Sequence, residues 1–139
     1  MFTPLRPYFR RGLLLSKAEQ SFFEILRNVA LDHIVFAKVR LADLVEADER
    51  HRYRQADFNR VRSKQIDFVI CDLLFRPVVA IELDDKSHRL LHRRERDEVV
   101  DRLFEAVHLP LARFSVRSGY NQDDVRRVLL AKLNDCNAS

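Results

Sequence analysis

Two short apolar runs, Ile66–Cys71 and Val78–Leu83, are separated by a turn segment that holds Pro77. Runs of this length and composition read as neighbouring strands of a buried sheet. Each carries an acid where a buried strand should have none: Asp67 in the first and Glu82 in the second. An acidic tip, Asp84–Asp85, follows, and then Lys86 and His88. Desolvating an unpaired carboxylate costs several kcal/mol or more. Two of them on paired strands make sense if a cation sits between them. Hard divalent ions such as Mg²⁺ are held by one or two carboxylates together with waters and substrate phosphates, which points to phosphodiester chemistry. The plainer alternative is a pair of strand-end acids satisfied by arginine neighbours.

The rest of the chain supplies a frame for these strands. Residues 1–15, with Pro4, Pro7 and Arg10–Arg11, form an arm without periodicity. Ser16 with Glu19 three residues on makes a capping box, and Phe22, Phe23, Leu26, Val29 and Ala30 continue as a helical apolar stripe. His33–Leu44 alternates as a strand, with Val35, Ala37, Val39 and Leu41 on one side. Glu46–Ser63 is polar and basic, and reads as a long loop or a short irregular helix. After the central strands, His88–His108 suits an amphipathic helix, carrying Leu90, Leu91, Val99, Val100, Leu103, Phe104 and Val107. Pro110 ends it. Leu111–Val116 is a last short strand, and Asp123–Asp135 a closing helix with Val125, Val128, Leu129 and Leu133 inward. The expectation is one α/β domain over 16–135, a mixed sheet covered by helices on both faces, with a tail at 136–139.

Composition narrows the function classes. A chain of 139 residues suffices for a single core, and 47% hydrophobic with 33% charged residues is ordinary for a globular protein. No apolar run approaches the roughly 18 residues of a membrane helix, and Leu13–Leu15 is too short for a secretory signal, so the chain reads as cytoplasmic with no membrane partner. With 2 glycines, neither a dinucleotide fingerprint nor a phosphate-cradling loop can form. Cys71 and Cys136 lack metal-ligand spacing and read as inert thiols. His88 and His92 share a helix face as zinc ligands do, but no third ligand stands near them in sequence.

A net charge of +4, carried mostly by arginine, favours an anionic partner, because guanidinium forks match phosphate oxygens. Two segments concentrate this charge. Arg50–Arg62 interleaves Tyr53 and Phe58 with five arginines, among them Arg52, Arg54, Arg60 and Arg62, and could stack on bases while contacting phosphates. Arg89–Arg96 adds Arg93 and Arg94. Either could equally be a solvated face paired with Asp57, Glu95 and Asp97. Arg96 and Arg113 read as partners of core acids.

With these blocks in order, the chain resembles the PD-(D/E)XK nuclease superfamily, and most closely its very-short-patch-repair branch and restriction-endonuclease-like domains of unknown function. The resemblance spans Leu14–Val116. It rests on Leu14-Leu15-Ser16 with Glu19, Lys64 with Asp67-Phe68, Ile81-Glu82-Leu83-Asp84 with His88, Arg96-Asp97, and Pro110 with Arg113-Phe114. It implies a restriction-endonuclease-like core of helix, three strands, helix and strand. It also implies a Mg²⁺- or Mn²⁺-dependent nuclease acting on nucleic acid, DNA first. Asp67 and Glu82 would then be the metal pair, Asp84 an extension of it, and Glu19 an accessory acid. The superfamily's lysine should lie two residues after Glu82, where Asp84 stands instead. Lys64 and Lys86 are the candidates for its role, and His88 for a general base or charge donor. A non-catalytic nucleic-acid-binding module on the same fold, and a protein-interaction domain of a larger chain, are the alternatives.

Overall fold

The structure, a computed structural model, describes residues 7–48, 50, 55–84, 91–116 and 119–137. The element order is α1 (Lys17–Val29), β1 (Ile34–Arg40), α2 (Leu41–Leu44), α3 (Gln55–Val61), β2 (Gln65–Cys71), β3 (Pro77–Asp84), α4 (Leu91–Ala106), β4 (Leu111–Ser115) and α5 (Gln122–Asn137). The strands form one mixed sheet in the order β1-β2-β3-β4. The first three pair antiparallel and β4 joins β3 in parallel, with α4 as the crossover. Helices cover both faces, so the architecture is α/β with a four-stranded mixed sheet flanked by helices. Among the described residues no helix is long and apolar enough to cross a membrane.

Two apolar cores hold the layers. On one face, Phe22 and Leu26 of α1 and Val125 and Leu129 of α5 pack on Phe68, Ile70, Val79 and Ile81. On the other, Val61 of α3 and Val100 and Phe104 of α4 pack on Ile66, Val69, Cys71 and Ala80. Helix α1 begins as its sequence requires: the Glu19 N–H donates to Ser16 Oγ at 3.2 Å and the Ser16 N–H donates to Glu19 Oε1 at 2.8 Å. A short tight turn joins β2 to β3, where Asp72 Oδ1 accepts from the N–H groups of Leu74 and Arg76.

Several expectations need correction. The strand read over His33–Leu44 stops at Arg40, and Leu41–Leu44 is a helical turn. The reason is local: Asp43 accepts from the Arg40 N–H at 3.2 Å, and the N–H groups of Leu41 and Ala42 donate to the carbonyls of Lys64 and Arg62. Within Glu46–Ser63 the short helix is α3, and its half-buried Phe58 packs on the second core. Val128 and Val107, expected inward, are exposed.

Candidate active site

The acids of the two central strands meet where those strands part. Between β2 and β3 the ladder pairs Ile70 with Val79, Val69 with Ala80 and Phe68 with Ile81. The next rung, Asp67 with Glu82, is not a backbone rung. Instead the Leu83 N–H donates to Asp67 Oδ2 at 2.7 Å, and the Asp67 N–H donates to Glu82 Oε1 at 3.3 Å. Two side chains thus replace main-chain partners. Beyond this point β2 continues along β1, through Val39↔Ile66 and Arg40↔Gln65, while β3 continues along β4, through Glu82↔Arg113 and Asp84↔Ser115. The sheet forks, and the carboxylates of Asp67 and Glu82 stand in the fork.

Their electrostatics are those of charges held out of water. Glu82 is the one buried charged residue among those described, 6% exposed. Burial first, and the Asp67 charge beside it, push its pKa up to about 7 against the pull of Lys64. Asp67 is raised as well, by burial first and by the Glu19 charge, while the Leu83 N–H, Lys64 and Lys38 pull the other way. Two neighbouring acids with raised pKa values are a recurrent mark of functional sites.

Two lysines answer them. Lys64 sits immediately before β2, and its Nζ is 3.4 Å from Glu82 Oε2, so it does reach the carboxylate pair from the neighbouring strand. Lys38 comes from β1, with Nζ 3.5 Å from Glu19 Oε2. Burial of Glu19 raises its pKa, but Ser16 and Lys38 outweigh this and hold it below the usual value. Lys38 adopts a φ of 55°, the left-handed region, at a cost to a non-glycine residue on the order of 1–2 kcal/mol. Sequence reasoning missed it, because a lysine alternating with apolar neighbours reads as solvent-facing. No pattern in the sequence marks the backbone turn.

Asp84 belongs to a second cluster of charges. Asp84 is engaged by Arg113 at 3.4 Å, and Arg113 reaches on to Asp101 at 2.8 Å and Asp97 at 3.9 Å. Burial disfavours the Arg113 charge, yet the three acids, Asp101 foremost, hold its pKa above the usual value. Arg113 therefore clamps α4 onto β4. Arg60, Arg62, Arg94 and Arg96 are exposed. Arg52, Arg54, Lys86, Asp85, His88 and Tyr53 lie outside the described residues, as do the side chains of His92, Arg93 and Cys136.

Asp67 and Glu82 offer oxygen donors alone, a type that suits a hard ion such as Mg²⁺ that keeps several waters and needs only one or two carboxylates. A closed protein cage is absent: among the described residues no group of three His, Cys, Asp or Glu side chains could hold a metal. The donors fit an open, water-rich ion and not a structural zinc.

The family model described as "Protein of unknown function (DUF2726)" matches residues 11–133. The chain belongs to the DUF2726 family. That match begins inside the N-terminal arm and runs into α5, so the fork and both cores lie within the DUF2726 region. No curated protein and no solved structure matches the chain.

Proposed function

We propose that this DUF2726 domain is a divalent-metal-dependent nuclease with a restriction-endonuclease-like core, acting on DNA. The observation that carries this reading is the fork itself: two carboxylates substituting for a backbone rung, with a lysine ammonium 3.4 Å from one of them. The order of α1, β1, β2, β3, α4 and β4 supports the fold assignment, with α2 and α3 as additions between the first two strands.

In this reading Asp67 and Glu82 hold Mg²⁺, or Mn²⁺ in its place, which when bound supplies positive charge to the scissile phosphate and acidifies a water. Lys64 fills the role of the lysine absent at Asp84, donating to the attacking water or to the charge that grows on phosphate. Glu19, pinned by its capping box, lends negative charge at the rim. The three acids and two lysines carry one net negative charge when all are ionised. A divalent ion turns that to one positive charge, which matches a phosphodiester's single negative one.

A second reading has one observation in its favour. Lys64 already neutralises Glu82, and Lys38 Glu19, so the cluster could be a self-satisfied remnant in a module that binds nucleic acid without cutting it.

The deciding experiment is cleavage of single- and double-stranded DNA and RNA with Mg²⁺ or Mn²⁺, with EDTA as control. Asp67→Asn and Glu82→Gln should each lower the rate at least about a hundredfold, the scale of losing one charge-stabilising group. Cutting that persists in both variants, or in EDTA, would end the nuclease reading. Binding that survives or tightens in both variants, from a wild type that cuts nothing, would establish the binding module instead.

A further inference from the structure

Lys38 sits in a strand in a conformation that strands do not use. Among the described residues the other non-glycine positions with positive φ, Phe75 and His108, are in turns. The backbone register passes through Lys38 undisturbed: Ala37 pairs with Phe68 and Val39 with Ile66, which leaves Lys38 across from Asp67. What changes is the face. Val35 and Ala37 pack on the core beneath α1, but Val39, two residues on, packs on the opposite core. Simple alternation would have kept it on the first. Strand β2 makes the same exchange across from it, with Ile66 on the second core and Phe68 on the first. Both strands thus turn over at the level of the fork, and the left-handed residue brings its ammonium to the side of Glu19 and Asp67.

The ion pair with Glu19 does not account for this. At 3.5 Å it is longer than a good charge-assisted hydrogen bond, with side chains 28% and 18% exposed, and it sets a modest return against the strain of a left-handed lysine. Asn or Gly would take the conformation more readily. Backbone strain retained beside an acid cluster points to a use for the side chain. An ammonium also has three N–H donors, and Glu19 leaves it donors to spare.

We infer that Lys38 is a phosphate-contacting residue of this site, gripping the DNA backbone beside the carboxylate pair while Lys64 serves on the Glu82 side. The inference rests on the nuclease reading for the identity of that phosphate as the one cut, but the grip itself is measurable without cleavage.

The test uses the full chain as wild type, Lys38→Asn, Lys38→Gly and Lys38→Arg. Affinity for a fluorescein-labelled DNA duplex is followed by anisotropy in Ca²⁺ across a salt series, cleavage is followed in Mg²⁺, and Tm is recorded for each protein. Asn and Gly should hold or raise Tm while weakening binding about tenfold and making the salt slope shallower by about one. Arg should recover most of the affinity. Wild-type affinity, salt slope and cleavage in both Asn and Gly variants would overturn the inference and leave the nuclease standing. Weakened binding in those variants, with no cleavage by any of the four proteins, would uphold the phosphate grip and remove the nuclease. A wild type that neither binds nor cuts DNA would remove both.

Discussion

Glu82 is the residue through which this fold will feel pH most directly. Its folded pKa of about 7 lies above the ordinary 4.5, so the folded protein holds a proton there that the unfolded chain releases. Stability therefore falls as pH rises from about 4.5 through about 7 and levels off above, with Asp67 adding in the same direction. The full effect is bounded on the order of 3 kcal/mol. In EDTA the urea midpoint of the wild type should be lower at pH 8 than at pH 5. Glu82→Gln, which cannot ionise, should flatten that fall and match or exceed the wild type at pH 8. A wild type whose stability climbs over this interval would contradict the burial of the carboxylate. Glu19 runs the other way: its lowered pKa stabilises above the ordinary carboxylate range and is lost only at lower pH.

At the level of elements, α1 shows how one acid can carry two duties that substitution can separate. Glu19 closes the capping box through Oε1 and meets Lys38 through Oε2. Ser16→Ala should destabilise the fold by about 1 kcal/mol, the cost of a lost cap. Glu19→Gln keeps a side-chain acceptor at the same helical position and should leave Tm near wild type, while lowering cleavage if the carboxylate charge is used at the site. A large Tm loss in Glu19→Gln would make the residue structural. Helix α1, β2 and β3 were legible because period and capping coincide: apolar residues at helical spacing behind Ser16, and two continuous apolar runs around Pro77. The Asp67–Glu82 pair was legible for the same reason, since an acid inside an apolar run is conspicuous. The end of β1 was not. Val39 and Leu41 continue an alternating pattern, but the left-handed turn at Lys38 reverses the facing and Asp43 caps a new helical turn. Neither event leaves a mark in local composition. Arg113 was half legible: a charge in an apolar strand asks for an acid, but only the crossover of α4 reveals that Asp97 and Asp101 join Asp84 around it.

Across the whole molecule, much of the arginine charge is spent locally. Arg27 pairs with Glu24, Arg40 with Asp43, Arg76 with Asp72, and Arg126 and Arg127 with Asp123 and Asp124. Such exposed pairs add little stability, but they mute those surfaces toward an anion. Among the described residues Arg60, Arg62 and Arg94 make no ion pair. Arg60 lies in α3, Arg62 just after it and Arg94 in α4, and the two helices pack together on one face of the sheet. Arg60→Ala with Arg62→Ala should weaken nucleic-acid binding evenly across sequences and make the salt slope shallower by about two. An unchanged slope would place the backbone contacts on another surface.

Among the described residues β1 pairs with β2 alone, which leaves its other side as a border of the sheet. An unprotected edge of this kind offers a row of N–H and C=O groups on which a second chain can add its own strand. The left-handed turn at Lys38 interrupts that row partway along β1. A kinked edge is a poorer template than a straight one, so the turn that carries a lysine to the fork also makes this border less suited to extension by a second copy.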